Sequence, residues 1–456
     1  MKNEIPPHIA FKRIARRPYS FLLDSAAGPD KLARRSFMGS DPFLIFKSKR
    51  SSVSLEWDSG KNERLKADPF AVLKKLLKKF KSNSGSADKA FTSGAVGYFG
   101  YDMKDLLERL PDIAKSDIDM PDCIVGFYDK IAVLTPGKLT ETVTPTCMRD
   151  DVTVSQCLYD VNASAALTSN FTKDSYMAAV KKAKEYIRKG DIYQVNLSQR
   201  FESRLDTEPY ELYLRLRDFS PAPFSSYLGF EDCAVISSSP ERFLMKKGAY
   251  IETRPIKGTR PRSKDPLMDE FNRNELVKSY KDRAEHIMIV DLERNDLGRI
   301  CEYGSVRPAE FIALEKYSNV FHLVSTVSGR LKSGVGAVDC LTATFPGGSI
   351  TGAPKIRSME IIEELEPVKR GIYTGAVGYI SFDGDMDMSI AIRTMLVKGK
   401  KIYFHAGGGI VADSDPASEY IETLDKARGM LQAIGAEEIT NDQFPGTKQI
   451  PIFNGQ

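Results

Sequence analysis

Residues 405 to 428 read HAGGGIVADSDPASEYIETLDKAR, a glycine run that leads into a helical pattern. Pro416 suits the first position of a helix. The apolar residues that follow form one stripe at the helical period: Tyr420, Leu424, Ala427, Leu431 and Ile434. By the same period Glu419, Glu422 and Lys426 fall together on another stripe. The sequence therefore predicts a helix that packs by one face and presents two carboxylates on another.

A second acidic helix is predicted upstream, in KDRAEHIMIVDLERNDLGR (residues 281–299). Asp282 and Glu285 are three residues apart on it and so share one face. Two interpretations are open for these acidic faces. On periodicity alone, a solvated face with a Glu-to-Lys pair is favoured. The alternative is that two facing helices each lend a carboxylate to one Mg²⁺ ion and leave positions open for a substrate carboxylate.

Two glycine-rich segments raise the question of anion binding. Gly407, Gly408 and Gly409 stand just before the acidic helix, where bare backbone N–H groups could approach an anion closely. The segment FPGGSITGAPK (345–355) shares glycines with a phosphate loop, but Ala353 and Pro354 stand where the Walker pattern requires Lys and Ser or Thr. Taken alone, each segment is more typical of a tight turn than of a ligand cradle.

One lysine has an unusual setting. The segment RPIKGTRPR (254–262) places Lys257 between two prolines and next to Gly258, so we expect a stiff, non-helical loop there. Most lysines are simply solvated, but a lysine on a fixed loop becomes nucleophilic if burial or nearby cations lower its pKa. In SSSPERF (237–243), Glu241 stands on a similar Pro-marked turn and is a candidate proton donor.

The composition is that of an enzyme-sized globular protein, with 456 residues of which 42% are hydrophobic and 28% charged. The net charge of +4, from 65 Lys and Arg against 61 Asp and Glu, is too even to indicate a nucleic-acid-binding surface. The chain has neither the apolar run of a membrane helix nor the apolar core of a signal peptide, so we expect a cytoplasmic protein. The six cysteines form no C-x-x-C pair and the four histidines no H-E-x-x-H motif. Any metal would therefore be held by carboxylates, which favours magnesium.

Three regions follow from the patterning. Residues 1–165 contain strand-like runs at 43–57 and 95–102 and a helical pattern at 69–81. A polar, unpatterned stretch at about 150–170 predicts a linker. Strand and helix patterns then alternate over residues 170–436, beginning with an amphipathic helix from Ser175. The tail, 437–456, is polar and is expected to be loosely held.

Two further segments complete a wider resemblance: GDIYQVNLSQRF (190–201) and YTGAVGYISFDGDMDMSIAIRTM (373–395). With those quoted above, they resemble the chorismate-utilising enzymes, a family that includes anthranilate, aminodeoxychorismate, isochorismate and salicylate synthases. The motifs run in family order from about residue 170 to 435, and GAVGYFGYD (94–102) and MPDCIVGFYD (120–129) extend the resemblance more loosely into the first region. The resemblance implies an α+β fold in which two antiparallel sheets pack on each other with helices outside. The linker is then a loop within one body.

The resemblance also implies a metal and substrate site. Glu285 and Glu422 would hold Mg²⁺ directly, with Asp282 and Glu419 supporting it through water. The ion would neutralise the ring carboxylate of chorismate. The remaining positions that match binding of the substrate's carboxylates and enolpyruvyl arm are Tyr373, Arg393, Lys426 and the N–H groups of Gly407, Gly408 and Gly409.

Within the family, the PIKGT segment discriminates between reactions. Lysine at position 257 is typical of members that form aminodeoxychorismate, whereas anthranilate and isochorismate enzymes usually carry alanine. Gln194 stands where isochorismate and salicylate synthases use a lysine to activate water, which favours ammonia as nucleophile. In this interpretation Glu241 protonates the departing ring hydroxyl, Lys257 forms a covalent adduct and ammonia displaces it. His322 matches a histidine of anthranilate-forming members, and a structural role for it is equally open.

The implied function is amination of chorismate to 4-amino-4-deoxychorismate, toward 4-aminobenzoate and folate. The chain has no G-x-C-x-G nucleophile elbow, so ammonia would come from solution or from a separate glutamine amidotransferase subunit. The alternatives are anthranilate synthase component I, in tryptophan biosynthesis, and a non-catalytic regulator that binds chorismate. The segment Phe21–Ser25 resembles the site where anthranilate synthases bind tryptophan, so tryptophan is a further possible ligand.

Overall fold

Two large antiparallel sheets form the centre of the molecule, as the resemblance implied. The computed structural model describes residues 5–29, 32, 35–82, 91–135, 138–140, 167–317 and 320–436. Within these ranges one sheet has 11 strands and the other 12. The predicted tail (437–456) and most of the predicted linker (150–170) lie outside the described residues.

Helices flank both sheets. They are α1 (Pro7–Phe11), α2 (Pro69–Lys79), α3 (Lys173–Arg188), α4 (Pro209–Phe219), α5 (Pro266–Lys278), α6 (Tyr280–Gly298), α7 (Ala337–Thr344), α8 (Lys355–Leu365) and α9 (Pro416–Ala433).

The strands, in chain order, are β1 (Phe21–Asp24), β2 (Ser36–Gly39), β3 (Leu44–Lys49), β4 (Ser52–Trp57), β5 (Asn62–Lys66), β6 (Gly94–Phe99), β7 (Cys123–Tyr128), β8 (Ala132–Thr135), β9 (Lys138–Thr140), β10 (Thr168–Ser169), β11 (Gln194–Arg204), β12 (Phe224–Gly229), β13 (Cys233–Ser239), β14 (Arg242–Lys247), β15 (Tyr250–Arg254), β16 (Ile256–Pro261), β17 (Arg307–Lys316), β18 (Val320–Arg330), β19 (Gly352–Ala353), β20 (Ala376–Ser381), β21 (Met386–Ile390), β22 (Thr394–Lys398) and β23 (Lys401–Ile410).

Both sheets mix strands from the two ends of the chain. The first runs β10-β11-β23-β22-β13-β12-β1-β2-β8-β9, with β19 beside β11. The second runs β16-β18-β15-β14-β21-β20-β6-β7-β3-β4-β5, with β17 beside β18. The first region (1–165) is thus joined to residues 170–436 through the β1–β12 and β6–β20 pairs. Its backbone hydrogen bonds are completed by the other region, so neither region closes its sheets alone.

Three apolar clusters hold these layers together. One lies between the first sheet and helices α3, α4 and α9, and a second between the second sheet and helices α2, α6 and α7. A third joins the two sheets and contains Tyr98, Val235 and Val377. Because α6 lies against β16 and α9 against β23, the two acidic helices pack against strands of different sheets. The active-site candidates lie on these elements and on the connections between them.

The two acidic helices form where the sequence predicted them. Helix α9 begins after Asp415, whose side chain accepts a hydrogen bond from the Ser418 N–H, and Pro416 occupies its first position. Its predicted apolar stripe is buried. Helix α6 begins after Ser279, which caps the N–H of Asp282. Each cap fixes the first turn of its helix and therefore the direction in which the glutamates of that turn or the next project.

Candidate active site

Ser349 connects the two residues for which the sequence predicted chemistry. The Nζ of Lys257 donates to the backbone oxygen of Ser349 at 3.1 Å, and the Oγ of Ser349 donates to Oε1 of Glu241 at 2.6 Å. Glu241 is 5% exposed and stands in the connection between β13 and β14, on the predicted turn. Burial raises the pKa of its carboxyl, while Ser349 and Lys257 oppose that rise. Glu241 therefore keeps its proton to higher pH than an ordinary glutamate.

Lys257 lies in a strand and not, as predicted, on a loop. Strand β16 pairs with β18, and Lys257 stands opposite Leu323. The predicted absence of helix is confirmed. The flanking prolines gave no sign of the strand pairing, because the partner strand β18 lies more than 60 residues away in sequence. Burial lowers the pKa of the Lys257 amine, Lys426 lowers it further, and Glu241, Glu285 and Glu422 oppose the shift. The amine is thus easier to deprotonate than a solvated lysine.

Arg393 is a cation without a partner. Its guanidinium has no ion pair or hydrogen bond in the part of the chain that the structure describes. Burial lowers its pKa. Its φ is +49°, a strained value for a residue with a side chain, and Thr374 on the neighbouring connection has φ +60°. A strained, unpaired arginine is suited to bind an anionic group such as a carboxylate.

His322 lies near Arg393 and is held in the neutral form. Its Nδ1 is 2.9 Å from Oγ1 of Thr259, and its ring packs edge-on against Tyr317. Burial and the charge of Arg393 lower the pKa of His322 to about 3. Its Nε2 is buried with no hydrogen-bond partner among the described residues. That atom is available to a bound molecule.

The acidic side of the site is more open. Glu422 on α9 is 48% exposed and pairs with Lys426 at 2.7 Å, the Glu-to-Lys pair that periodicity favoured. The charge of Lys426 lowers the pKa of Glu422. Burial raises the pKa of Glu285 on α6, and the charge of Glu422 adds to the rise. The two helices therefore bring Glu285 and Glu422 close enough for one charge to affect the other.

Glu419 is the buried carboxylate of this group. It is 5% exposed, its pKa is raised by burial, and its Oε2 has no hydrogen-bond partner among the described residues. Gly408 lies beneath both acids of α9, since a Cβ there would be 3.1 Å from Oε1 of Glu422 and 3.3 Å from Oε2 of Glu419. An unpaired buried carboxylate oxygen over bare backbone fits a cation or a proton.

Gly407, Gly408 and Gly409 lie within strand β23, which corrects the expected tight turn. They pair with β11, opposite Ser198, Leu197 and Asn196. The partner on the other edge, β22, covers β23 only as far as Phe404, so the glycines lie beyond its end. The O atom of Gly407 accepts from Nζ of Lys426 at 2.9 Å. A Cβ at Gly409 would lie 2.0 Å from Nε2 of Gln194, so glycine here leaves room for the Gln194 amide.

Asp282 is engaged elsewhere. Its Oδ2 accepts from Nη2 of Arg260 at 3.0 Å, a partner that the sequence did not indicate. A Cβ on Gly258 would lie 3.2 Å from the Cβ of Asp282, so α6 rests directly on the PIKGT segment. Asp282 thus ties the strand of Lys257 to the helix of Glu285.

Tyr373 and His405 together form an aromatic wall. The two rings stack at 4.9 Å between centroids and 9° between planes. Arg370 lies over Tyr373 at 5.5 Å and donates to both carboxylate oxygens of Glu366, at 2.7 and 2.8 Å. Tyr373, Arg370 and His405 also line a small cavity. The aromatic wall is therefore fixed from behind by a buried ion pair.

Gln194 is buried at the start of β11. It is 1% exposed, and its Oε1 has no hydrogen-bond partner among the described residues. Its backbone oxygen accepts from Oγ of Ser358 at 3.0 Å, which fixes the strand. A neutral amide here leaves a free acceptor where a lysine would place a charge.

The residues present fit a magnesium ion only in part. The described residues contain no ready-made group of three His, Cys, Asp or Glu side chains placed to hold a metal. However, Mg²⁺ commonly binds through one or two carboxylates and keeps water and substrate oxygens as its other ligands. The orphaned Oε2 of Glu419 and the neighbouring Glu285 and Glu422 are carboxylates of this kind.

Comparison with known proteins identifies the family of the chain. The model of the chorismate binding enzyme family matches residues 22–432. The chain belongs to this family.

Curated relatives carry two different names. Aminodeoxychorismate synthase component 1 of Bacillus subtilis is 39% identical over 450 residues, covering 94% of each chain. Anthranilate synthase component 1 of Acetivibrio thermocellus is 37% identical over 456 residues, covering 94% of this chain and 92% of the relative. The crystal structure of anthranilate synthase component I from Streptococcus pneumoniae superposes with a TM-score of 0.75 at 32% identity, covering 87% of this chain and 92% of that one. The family and fold expectations are confirmed, and identity alone does not separate the two reactions.

Sequence reasoning missed two residues of the site. Ser349 lies in FPGGSITGAPK, which was expected to be only a turn. It forms a single 3-10 turn, Gly348–Ile350, directly between Lys257 and Glu241. His286 is fully buried behind Lys257, with Nε2 2.7 Å from Oγ of Ser325, and burial lowers its pKa to about 4. Its place one residue after Glu285 was the available signal.

The segment Phe21–Ser25 begins with strand β1, between β2 and β12. The carboxylate of Asp24 accepts from Tyr213, Arg217 and Ser36 at 2.9, 2.7 and 3.0 Å. Binding of tryptophan here stays a prediction. Among the described helices, none is long and apolar enough to cross a membrane.

Proposed function

We propose that this protein aminates chorismate at C4 to give 4-amino-4-deoxychorismate. The observation that carries the proposal is the pair of Lys257, an amine with lowered pKa, and Glu241, a carboxyl with raised pKa, on the two sides of Ser349. A nucleophile and an acid whose pKa values are shifted toward each other suit displacement of a hydroxyl. Since relatives of both names are equally similar, lysine at position 257 is what favours aminodeoxychorismate over anthranilate.

The proposed reaction has two displacements. The neutral Nζ of Lys257 bonds to C2 of the ring, the double bonds shift, and the C4–O bond breaks as Glu241 gives its proton to the departing oxygen, which leaves as water. Ammonia then bonds to C4, the double bonds shift back, and the C2–Nζ bond breaks. Glu241 regains a proton from the added nitrogen. The sum is chorismate plus ammonia giving aminodeoxychorismate plus water, with the enolpyruvyl group retained.

Two cations, Arg393 without a side-chain partner among the described residues and Lys426 paired with Glu422, are proposed to bind the substrate. The charge of Arg393 lowers the pKa of His322, and the charge of Lys426 lowers the pKa of both Lys257 and Glu241. Chorismate carries two carboxylates, and two separate cations suit them. Tyr373 provides an aromatic wall and a hydroxyl. When bound, magnesium would be held by Glu285 and Glu422, with Glu419 beside them, and would neutralise the ring carboxylate.

Ammonia is proposed to come from a glutamine amidotransferase subunit. The relatives are named as components of a synthase, and this sequence lacks the nucleophile elbow that a glutaminase needs. High ammonium should replace the partner in solution, because free ammonia is the species that adds to C4.

Anthranilate formation is the second candidate. It is supported by His322, whose unpartnered Nε2 lies near Arg393 and matches the histidine of anthranilate-forming members. In that case pyruvate is eliminated and the ring becomes aromatic.

The test is a product assay. The protein is incubated with chorismate, magnesium and ammonium chloride, the products are separated by liquid chromatography with mass detection, and pyruvate is measured with lactate dehydrogenase. We expect a non-aromatic amino product and no stoichiometric pyruvate. Fluorescent anthranilate with an equal amount of pyruvate would replace the proposal by its alternative. Chorismate binding without any turnover at high ammonium would indicate a regulator.

A further inference from the structure

We propose that Ser349 is a positioning residue that holds the Glu241 carboxyl and the Lys257 amine in register, and that Glu293 anchors the turn carrying it. This inference rests on the proposed function, since it assigns Ser349 a role through Glu241 and Lys257. Neither Ser349 nor Glu293 was a candidate in the sequence.

Ser349 contacts both reacting groups with different parts of one residue. Its backbone oxygen accepts from Lys257 at 3.1 Å, and its hydroxyl donates to Glu241 at 2.6 Å. The residue is 4% exposed. Because the main-chain oxygen and the side chain are rigidly related through one Cα, the position of the acid is fixed relative to the amine. Loss of the hydroxyl would free Glu241 while leaving the Lys257 contact in place.

The turn that carries Ser349 is itself pinned to α6. The N–H of Gly348 donates to Oε1 of Glu293 at 3.0 Å. A Cβ on Gly348 would lie 2.7 Å from Cδ2 of Leu292, so the turn packs directly against the helix. On the other side Ile350 accepts from Nη1 of Arg370 at 3.1 Å. The turn therefore has fixed contacts before and after Ser349.

Glu293 is suited to anchor the turn without adding charge to the site. It is 3% exposed, and burial together with Asp296 raises the pKa of its carboxyl to about 8, while Lys355 opposes the rise. A protonated carboxyl still offers its carbonyl oxygen to the Gly348 N–H. The Nζ of Lys355 forms an ion pair with Asp296, and these are the two charged groups that act most strongly on Glu293.

The hydroxyl of Ser349 also affects the acid electrostatically. A donor to a carboxylate favours the ionised form, so Ser349 lowers the pKa of Glu241 against the effect of burial. The other charged or titratable groups that act on Glu241 are Lys257, Lys426, Glu293 and Tyr317. Removing the hydroxyl while these stay in place should raise the pKa of Glu241 further.

The first test is Ser349→Ala, with Ser349→Thr as the conservative variant. Chorismate consumption is followed at saturating magnesium and ammonium, which reports turnover whichever amino product forms. We expect kcat to fall about 10- to 100-fold with KM changed less than threefold, because general acid catalysis depends on placement. The limb of the kcat–pH profile that reports Glu241 should move to higher pH, and Ser349→Thr should restore most of kcat.

A matched control separates this from loss of fold. Ser20 is also a buried serine whose Oγ donates to a backbone oxygen, that of Ala15 at 2.9 Å, but it lies in the first region outside the site. Ser20→Ala should keep kcat and both limbs of the profile. If Ser349→Ala keeps wild-type kcat, or loses kcat with neither limb moved, the positioning role is wrong.

The anchor is tested by Glu293→Gln and Glu293→Leu. The amide of glutamine keeps an acceptor for the Gly348 N–H, so kcat should stay within about threefold, whereas leucine removes the acceptor and should reproduce the Ser349→Ala loss. Equal kcat for the two variants, both with a cooperative unfolding transition, would remove Glu293 from the proposal.

A measurement without turnover distinguishes failure of this inference from failure of the proposed function. With ¹³C at the glutamate side-chain carboxyls, the Glu241 resonance is assigned by its loss in Glu241→Gln and titrated by NMR. Its pKa should be higher in Ser349→Ala than in the wild type. If the product assay gives no amination but this shift is seen, the Ser349–Glu241 coupling stands and the reaction is reassigned. An unshifted titration overturns the coupling whatever the product.

Discussion

Two arginines of the same part of the molecule, Arg370 buried and Arg393 half-buried, have opposite surroundings. Arg370 is 3% exposed, and its guanidinium is fully paired. It donates twice to the carboxylate of Glu366 and also donates to Ile350, Thr374 and Asn196. Arg393, on the connection before β22, has no side-chain partner among the described residues and a strained backbone.

This difference in pairing distinguishes residues that stabilise the fold from residues that bind a ligand. A buried arginine that is paired costs little and orders the groups around it, and removing one partner strands the other charge. Arg393 is half-buried and has no partner among the described residues, so it is better explained by an anionic ligand that pairs with it. By this criterion Glu366 and Arg370 belong to the scaffold, whereas Arg393 and the orphaned atoms of His322 and Glu419 belong to the site.

The largest effect should come from Lys257→Ala. We expect aminodeoxychorismate formation to fall more than about 10³-fold, because both displacements use its Nζ. The change removes an amine that is destabilised by burial, so the thermal unfolding midpoint should stay level or rise. Slow anthranilate-type chemistry, seen as fluorescence, is the expected residual activity.

This variant tests the distinction between binding and structural residues, because activity should fall while the thermal unfolding midpoint stays level or rises. A parallel loss of both would place Lys257 with the scaffold. An unchanged rate would remove the covalent step from the proposed reaction.

The next effect concerns the acidic helices. Glu285→Ala and Glu422→Ala are each expected to abolish magnesium-dependent turnover, with kcat down at least about 100-fold at saturating chorismate. Titration of magnesium against intrinsic fluorescence or by calorimetry with chorismate present should show weakened binding in both. Glu270→Ala, an exposed glutamate of α5, is the control that should leave binding unchanged. Full activity of the wild type in EDTA would contradict the metal assignment.

The two arginines can be compared directly. Arg370→Met should lower the free energy of unfolding by about 3–5 kcal/mol, because it leaves Glu366 buried and unpaired. Arg393→Met should leave stability unchanged or slightly higher and raise KM for chorismate about 10- to 100-fold, the loss of one charge-assisted contact. Urea unfolding and steady-state kinetics measure the two quantities. Equal destabilisation of the two variants would show that Arg393, like Arg370, stabilises the fold.

Local pattern predicted the helices of the site well. The apolar stripe of α9, its start at Pro416 and the Glu422–Lys426 pair all follow from a 3.6-residue period, which requires no knowledge of the rest of the chain. The family resemblance supplied the two-sheet fold, since pairs such as β6–β20 join residues nearly 300 positions apart and leave no local signal.

The errors have a common physical cause. Three consecutive glycines carry no alternation of polar and apolar side chains, so strand β23 was not recognisable at Gly407–Gly409. The strand of Lys257 depends on β18, and the contact of Asp282 with Arg260 depends on α6 lying on that strand. Ser349 has a short polar side chain in a glycine-rich turn, and its importance comes only from what the fold places on each side.

The smallest predicted effect is a shift in pH dependence caused by Lys426→Met. Turnover requires Lys257 neutral and Glu241 protonated, so kcat against pH should be bell-shaped, and its two limbs belong to the coupled pair. The charge of Lys426 lowers the pKa of both Lys257 and Glu241. Without it both pKa values rise, and the whole bell should move to higher pH, by a small amount because Lys426 is partly exposed and its charge is screened.

The measurement needs free ammonia held constant across the pH range and saturating chorismate, so that only the enzyme groups titrate. Lys400→Met, which removes a lysine from the turn between β22 and β23, should leave the profile in place. A bell that narrows, with one limb fixed, would mean that Lys426 acts on only one of the two groups. Lys426 also pairs with Glu422. A pH profile that does not move would show that Glu422 already neutralises the charge of Lys426. Lys426 would then have a structural role, like Arg370.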